Sequence, residues 1–592
     1  LLMTFALGAR AVDYNPYPDE YRTLDVRKIS TISLNDNTVT LTHSNDYGLK
    51  YVDLTSSSTF QVYVGDNLSG SIQLDGTWVH GYIYIDIDSD GFTASIASDG
   101  YTPQNDLMTY SYYNGKNSAG ISLTNNNRNT LSMPSFIAPI KPGTYRMRYK
   151  VDWDNISPDG KGKKSNGGVT EFTTAGGTIV DVMLNVIVPT PVISISQDKK
   201  LIIANSGTFI IPYYSTDGVT YKQYDNNNKP PINKDQTIYA KNIYKSGSTQ
   251  FESSVVSLSI NSIETQDELS NISGNNYYIL CNDLTLSDFE PISNFSGTLD
   301  GDYHTISGLT KPLFKTLNNG TVKNVVLDNV QLSSAVTVND TVCLGAIAAY
   351  ASGNTKIYNC GILSKEEASS VSGGDNTGSL VGYITGNTRV VNNYSYANVS
   401  GGEYVGGIVG RVAGTALSNN NYSNDNHCAV TNNMFYGNLS STSNVSSPVY
   451  AGNHTSNIQN TNEYNFWRSK AEVSYKIYNN QLAIDKDSYL NRFPFYRHIQ
   501  NTHRELAAIY LFGSRTDANV AEIGHWYNVK NDEKVSYPII EKWQTNTKRT
   551  TVDIENNLPN TTEKFAGKLL GNIGSDGYYT GTGEQVSSMG SG

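Results

Sequence analysis

The chain has 592 residues, a formal net charge of −11 and only 16% charged residues, against 51 glycines and 42 tyrosines. That length suits roughly three to five domains, each able to bury a core. An acidic balance gives no basic field to displace phosphate counterions, so nucleic acid is excluded as a partner class, and the Gly-, Asn- and Ser-crowded loops point to extracellular β-structure.

The first stretch, "LLMTFALGARAVDYNPYP", reads over residues 1–11 as the remnant of a secretory signal, an apolar run closed by Ala9-Arg10-Ala11. A basic start and initiator Met are missing, so the expectation is a fragment of a longer secreted or outer-surface protein. No later run reaches ~18 apolar residues, so the chain is not expected to span a membrane with a helix.

Residues 12–188 form a series of short alternating segments, among them "TFQVYVGD", "WVHGYIYIDID", "TYRMRYKVDW" and "TIVDVMLNVIV". Apolar-polar alternation at period two predicts antiparallel sheets with one wet face, hence a β-sandwich. In the second segment Val79, Gly81, Ile83, Ile85 and Ile87 belong to the core face. Trp78, His80, Tyr82 and Tyr84 form a row on the other face, extended by Tyr110, Tyr112 and Tyr113. Aromatic faces spaced along a strand suit stacking on sugar rings, which makes this row the candidate carbohydrate-binding site; the competing reading covers both faces with protein.

The row runs into Asp86-Ile-Asp-Ser-Asp-Gly91. Alternate carboxylates before a turn glycine match the first half of a calcium loop, so Asp86, Asp88 and Asp90 are the candidate metal ligands. The twelfth position is Ala97 rather than Glu, so a further carboxylate, such as Asp99 or Asp152, is needed from elsewhere. The alternative is a polar turn whose aspartates cap their own amides. "WVHGYIYIDIDSDGF", "YYNGKNS" and "MPSFIAPIKPGTYRMRYKVDWDNISPDG" resemble accessory sandwich domains of the GEVED type on secreted glycan-degrading proteins of Gram-negative gut anaerobes.

After the proline linker "VPTPV", residues 191–260 have immunoglobulin-like size. "TFIIPYYSTDGVTYKQY" and "QTIYAKNIYKSGS" resemble the small sandwich domains of the chitobiase type, which act as spacers.

Residues 263–460 repeat. "GAIAAYASGNTKIYNCG" from Gly345, "GSLVGYITGNTRVVNNYSYANVS" from Gly378 and "GGIVGRVAGTALSNNNYS" from Gly406 align, with Gly353, Gly386 and Gly414 at one shared offset. "NNYSYANVS" (392–400) recurs as "NNMFYGNLS" (432–440). Units this short bury their apolar side only by stacking, and strands separated by Gly and Asn turns predict a parallel β-helix with these units as successive coils. "GSLVG" and "GGIVG" resemble GLUG repeats, and 277–333 resembles the segment that introduces them. Such repeats occur in large secreted adhesin-like proteins and in non-catalytic parts of IgA1-protease-type metallopeptidases. The fold class expected is therefore all-β: sandwich, Ig-like domain and GLUG-type parallel β-helix, followed by a small mixed region over 461–592.

One coil stretch, "SGTLDGDYHTISGL" (296–309), sets Asp300, Asp302 and His304 at alternate positions, like ligands on one side of a strand. A structural reading explains it as well: Gly297 and Gly301 permit tight turns, Asp300 bonds backbone at a corner, and Ile306 and Leu309 point inward. Elsewhere HExxH, GxSxG and P-loop patterns are missing, and His498 and His503 are five residues apart rather than the four that aligns ligands on a helix. Cys281, Cys343, Cys360 and Cys428 fit buried thiols or two disulfides equally. No catalytic residue is assigned. The function expected is binding to carbohydrate or to a host or bacterial surface, with a polysaccharide-degrading β-helix enzyme and a passive stalk as alternatives, and with calcium as the single cofactor implied.

Overall fold

The computed structural model describes Tyr14 and residues 27–41, 49–124, 129–153, 177–204, 207, 209–364, 367–413, 415–416, 427–441, 450–452, 465–468, 481–484, 502–530, 536–541, 578–579 and 585–586. The signal remnant, Gly414, His498 and most of 542–592 lie outside them. The chain divides into two compact units, 1–194 with 202–229 and 239–257, and 195–201 with 230–238 and 258–592. The segment 191–260 is thus shared between them.

In the first unit, a sheet of Thr130–Ser132, Gly70–Asp75, Lys28–Leu34 and Asn37–Thr40 faces a larger one. The larger sheet runs Leu107–Ser111, Val79–Asp86, Gly143–Trp153, Gly177–Ile187, with Tyr51–Asp53 and Thr59–Tyr63 added in parallel to the last. Period-two alternation does what the sequence implies. Ile29, Ile32, Ile72 and Leu74 from one sheet meet Ile83, Ile85, Met147, Val180 and Val182 from the other in a single core. Each such side chain contributes ~1.5–3 kcal/mol by leaving water.

The second unit is a parallel β-helix. One column stacks Tyr277–Leu280, Thr298–Asp300, Thr321–Lys323, Lys356–Tyr358, Arg389–Val391 and His427–Thr431, every neighbouring pair parallel. A second column stacks Thr305–Ser307, Val326–Asp328, Gly361–Ile362, Tyr394–Ser395 and Met434–Phe435. A third stacks Phe314–Asn318, Ala348–Ser352, Val381–Ile384 and Val409–Val412. Inside lie Leu299, Ile306, Val322, Leu327, Ile357, Val390 and Val409, fully buried.

The glycine register read from sequence is the coil register: Gly378 pairs with Gly406, and Leu344 bridges Thr377 one residue earlier. The physical reason is close approach. A Cβ on Gly378 would sit 2.4 Å from the Gly410 amide nitrogen, and one on Gly382 2.5 Å from that of Leu344. Asparagine marks the corners: Asn324, Asn359, Asn392 and Asn432 all have φ between 56° and 58°. Their side-chain amides form a ladder: Asn359, Asn392 and Asn432 each donate to the side-chain oxygen of the Asn one coil before, at 3.0, 2.8 and 2.7 Å. Asn pays less than other side chains for this left-handed backbone and supplies the bond between coils.

Two helices follow among the described residues, Thr502–Phe512 and Asp517–Ala521. Ala507, Ala508, Tyr510, Leu511 and Ile523 join Tyr358, Val391 and Ala429 in a small core on the outside of the first column. All four cysteines are free thiols, three of them buried, so the disulfide alternative does not hold. No described helix is long and apolar enough to cross a membrane.

Candidate functional site

In the coil stretch 296–309 Leu299 enters the core and the neighbouring Asp300 lies on the other side of its strand, covered by other segments. Asp300 ends the strand Thr298–Asp300 and is fully buried. Its Oδ2 accepts from Lys199 Nζ at 2.5 Å and from the Tyr277 hydroxyl, and Lys323 Nζ lies 3.7 Å away. Its Oδ1 accepts from Asn324 Nδ2 and from the Asp302 amide. Burial alone would push this carboxyl up; the ammonium groups of Lys323 and Lys199 overcome that and hold it well below the usual carboxylate range. Lys323 Nζ also lies 3.3 Å from a Glu522 oxygen just after the second helix. Glu522 in turn accepts from the Gln197 amide.

The three residues do not converge as a ligand set: Asp302 meets Asp300 only through a shared lysine and its own amide, and His304 stands apart. Asp302 pairs with Lys199 at 3.0 Å, and His304 Nδ1 sits 3.3 Å from Asp283. Gly301 is required because a Cβ there would lie 2.3 Å from the Asn324 carbonyl oxygen. Asp300 and Asp302 thus share Lys199, while His304 turns away to Asp283. Asp300 clamps 195–201, the coil and the helix pair to one another.

In the first unit, the strand Val79–Asp86 is buried along its whole length, which corrects the expected wet face. The aromatic row is not a sugar platform: Tyr82 and Tyr84 are 0% exposed and His80 is buried too. Tyr82 and Tyr84 stack with ring centroids 6.1 Å apart, beneath Phe92, Leu107 and Tyr110. The loop after the strand folds back over the row and closes a second, smaller core. Trp78 stands apart, 46% exposed, at φ 58° and 6.5 Å from the Tyr113 ring.

That loop carries the acidic motif. Asp86, Asp88 and Asp90 are joined by Asp106, with one carboxylate oxygen from each lying within 4.8 Å of the others. Asp86 and Asp106 are buried, Asp88 and Asp90 exposed. Asp86 Oδ2 accepts from the Tyr14 hydroxyl at 2.5 Å and the Gly91 amide at 3.2 Å, while its buried Oδ1 has no partner. Asp106 accepts from the Ile87 and Thr93 amides and the Thr93 hydroxyl. Burial pushes the Asp106 carboxyl above its ordinary value; those hydrogen bonds oppose the shift and the charge of Asp86 adds to it.

Asp99 and Asp152 do not supply the extra carboxylate. Asp99 caps the turn at Tyr101 and Thr102, and Asp152 lies in register with His80 on the next strand. Asp106 was missed because it follows an unrelated loop. Its signal is its place immediately before the strand Leu107–Ser111, which pairs with Val79–Asp86, so that the start of one strand meets the end of the other. The nearby cations are already engaged: Arg146 with Asp53 and Asp181, and Arg148 with Asp181.

Residues 291–362 match the family model of the M26 IgA1-specific metallo-endopeptidase N-terminal region. Among solved structures, an IgA1 protease is similar at 15% identity over 50% of this chain and 28% of its own, with a TM-score of 0.23. The chain thus covers under a third of that protease's length. No curated protein matches. The segment similar to the metallo-endopeptidase N-terminal region lies wholly within the β-helix and contains Asp300, Lys323, Asn324 and Asn359.

Proposed function

We propose that this chain is part of a secreted or outer-surface modular protein whose work is binding, to glycan or to a host or bacterial surface, with the β-helix as its scaffold. The observation that carries the reading is the closure of the Asp300 network. The most enzyme-like constellation of the coils is buried, neutralised by Lys199 and Lys323, and used to hold segments of one unit together. The similarity of that stretch to the N-terminal region of an IgA1-specific metallo-endopeptidase supports an extracellular, modular setting. Of the four row residues, Trp78 offers an exposed ring and is the candidate glycan contact in the sandwich.

The test sets the whole chain against a glycan array and against intact bacterial and epithelial cells, with reducing-sugar release and IgA1 cleavage assayed in parallel. Saturable retention without bond cleavage supports binding. Cleavage of a polysaccharide or of IgA1 by the pure chain would overturn it in favour of an enzyme.

A further inference from the structure

We infer that Asp86, Asp88, Asp90 and Asp106 form a calcium site that fastens the loop after Val79–Asp86 over the buried tyrosines. Four carboxylates converge, and none of them has an ion-pair partner among the described residues. The independent pointer is Asp86 Oδ1. It belongs to a residue 2% exposed, it is itself buried, and it accepts nothing. A buried carboxylate oxygen without a donor costs free energy that a cation recovers.

The other oxygen of Asp86 is already bonded to Tyr14 and Gly91, and both oxygens of Asp106 to Ile87 and Thr93. Asp86 and Asp106 are therefore held in place before any ion arrives. Asp88 Oδ1 accepts from the Asp90 amide, which keeps the turn compact.

The donor set selects the ion. All donors are hard oxygens, which excludes the nitrogen and sulfur preference of zinc. Two ligands at ~2.3–2.6 Å from one calcium stand at most about 5 Å apart, and the four oxygens here lie within 4.8 Å of one another. Magnesium demands an octahedron at ~2.0–2.1 Å, too tight for oxygens at the far end of that spread without movement of the buried pair. Two exposed members, Asp88 and Asp90, leave the ion open to water, so the affinity falls in the range of extracellular calcium modules, a Kd of ~10⁻⁴–10⁻³ M.

The consequence is structural. The loop holding Phe92 covers Tyr84, with ring centroids 5.9 Å apart, and Asp106 immediately precedes Leu107 of the same small core. An ion bridging Asp86 to Asp106 ties the lid to the strand beneath it.

The whole chain, stripped with chelator, is titrated with calcium chloride and separately with magnesium chloride by calorimetry. Hydrogen exchange is followed over 84–107 in both states. Saturable calcium heat with slowed exchange at 86–93 and 103–107, and magnesium at least ~10-fold weaker, is the expected result. Asp88→Asn is the clean variant, since Asp88 is exposed and its loss does not unfold the chain; calcium affinity falls at least ~5-fold while the calcium-free melting temperature is unchanged. Asp106→Asn gives a larger loss of affinity. No heat and no change of exchange at about 10 mM calcium, or unaltered binding by both variants, overturns the site.

Discussion

Asp300 is the residue whose role changes most between its local sequence and its surroundings. A corner residue that loses only amide partners costs ~1–3 kcal/mol. Asp300→Asn instead leaves Lys323 buried beside Glu522 alone and strips Lys199 of its nearest carboxylate, so a loss of ~3–5 kcal/mol is expected in urea denaturation followed by circular dichroism. A loss under ~1 kcal/mol would mean that the network is not clamped. The pH sign follows from the lowered carboxyl: its stabilisation is complete above the unfolded value of ~3.9 and declines as pH falls from there towards the folded value. The β-helix of the wild type should therefore lose stability steeply below pH ~4, and the Asn variant less steeply. The aromatic row divides in the same way. Tyr82→Ala should cost ~3–5 kcal/mol because its ring is enclosed, whereas Trp78→Ala should cost under ~1 kcal/mol because its ring is not. Equal melting of the two variants would contradict the burial described.

The coil is the repeating element, and its corners are the asparagines. Asn392 combines a φ of 58° with ladder bonds to Asn359 and from Asn432. Asn392→Gly keeps the backbone but loses both ladder bonds and the bond to the Gly524 carbonyl, about 1 kcal/mol each. Asn392→Ala adds the left-handed penalty of ~1–2 kcal/mol, so it should be the more destabilising of the two. Equal destabilisation of the two in urea melts would show that the ladder rather than the backbone sets the cost. Gly378→Ala and Gly382→Ala act by another route: the new methyl meets the backbone of a neighbouring coil and not a movable side chain. Neither coil can shift without breaking the register of its neighbours, so both variants are expected to accumulate as insoluble protein.

For the molecule as a whole, the thiols give the simplest check on how its core is closed. Burial pushes Cys343 and Cys360 up to about 12, and Cys428 is buried as well. Cys281 is half-buried. A chromogenic disulfide reagent at pH 8 should therefore titrate one thiol quickly in the native chain and all four after denaturation. Reducing agent should leave the melting curve unchanged. More than one fast thiol would place a second cysteine at the surface, and a melting curve shifted by reductant would reveal a disulfide.

The sequence by itself determined the β class, the parallel stacking of the glycine-led units and the alternation in the sandwich strands. These are properties of short range and fixed period. Gly345 and Gly378 announce the coil because a Cβ at either would meet the backbone of the next coil, and Ile83 and Ile85 announce the core because a pleat has only two sides. The tertiary structure alone decided what covers the second side of Val79–Asp86, which lysines neutralise Asp300, and that Asp106 rather than Asp99 or Asp152 joins Asp86. Each of those depends on a contact between segments far apart in the chain. Lys199 reaches Asp300 across 101 residues and Glu522 approaches Lys323 across 199. A charge pattern gives the chemistry available to a side chain, but burial and partner choice are set by whichever distant segment folds against it.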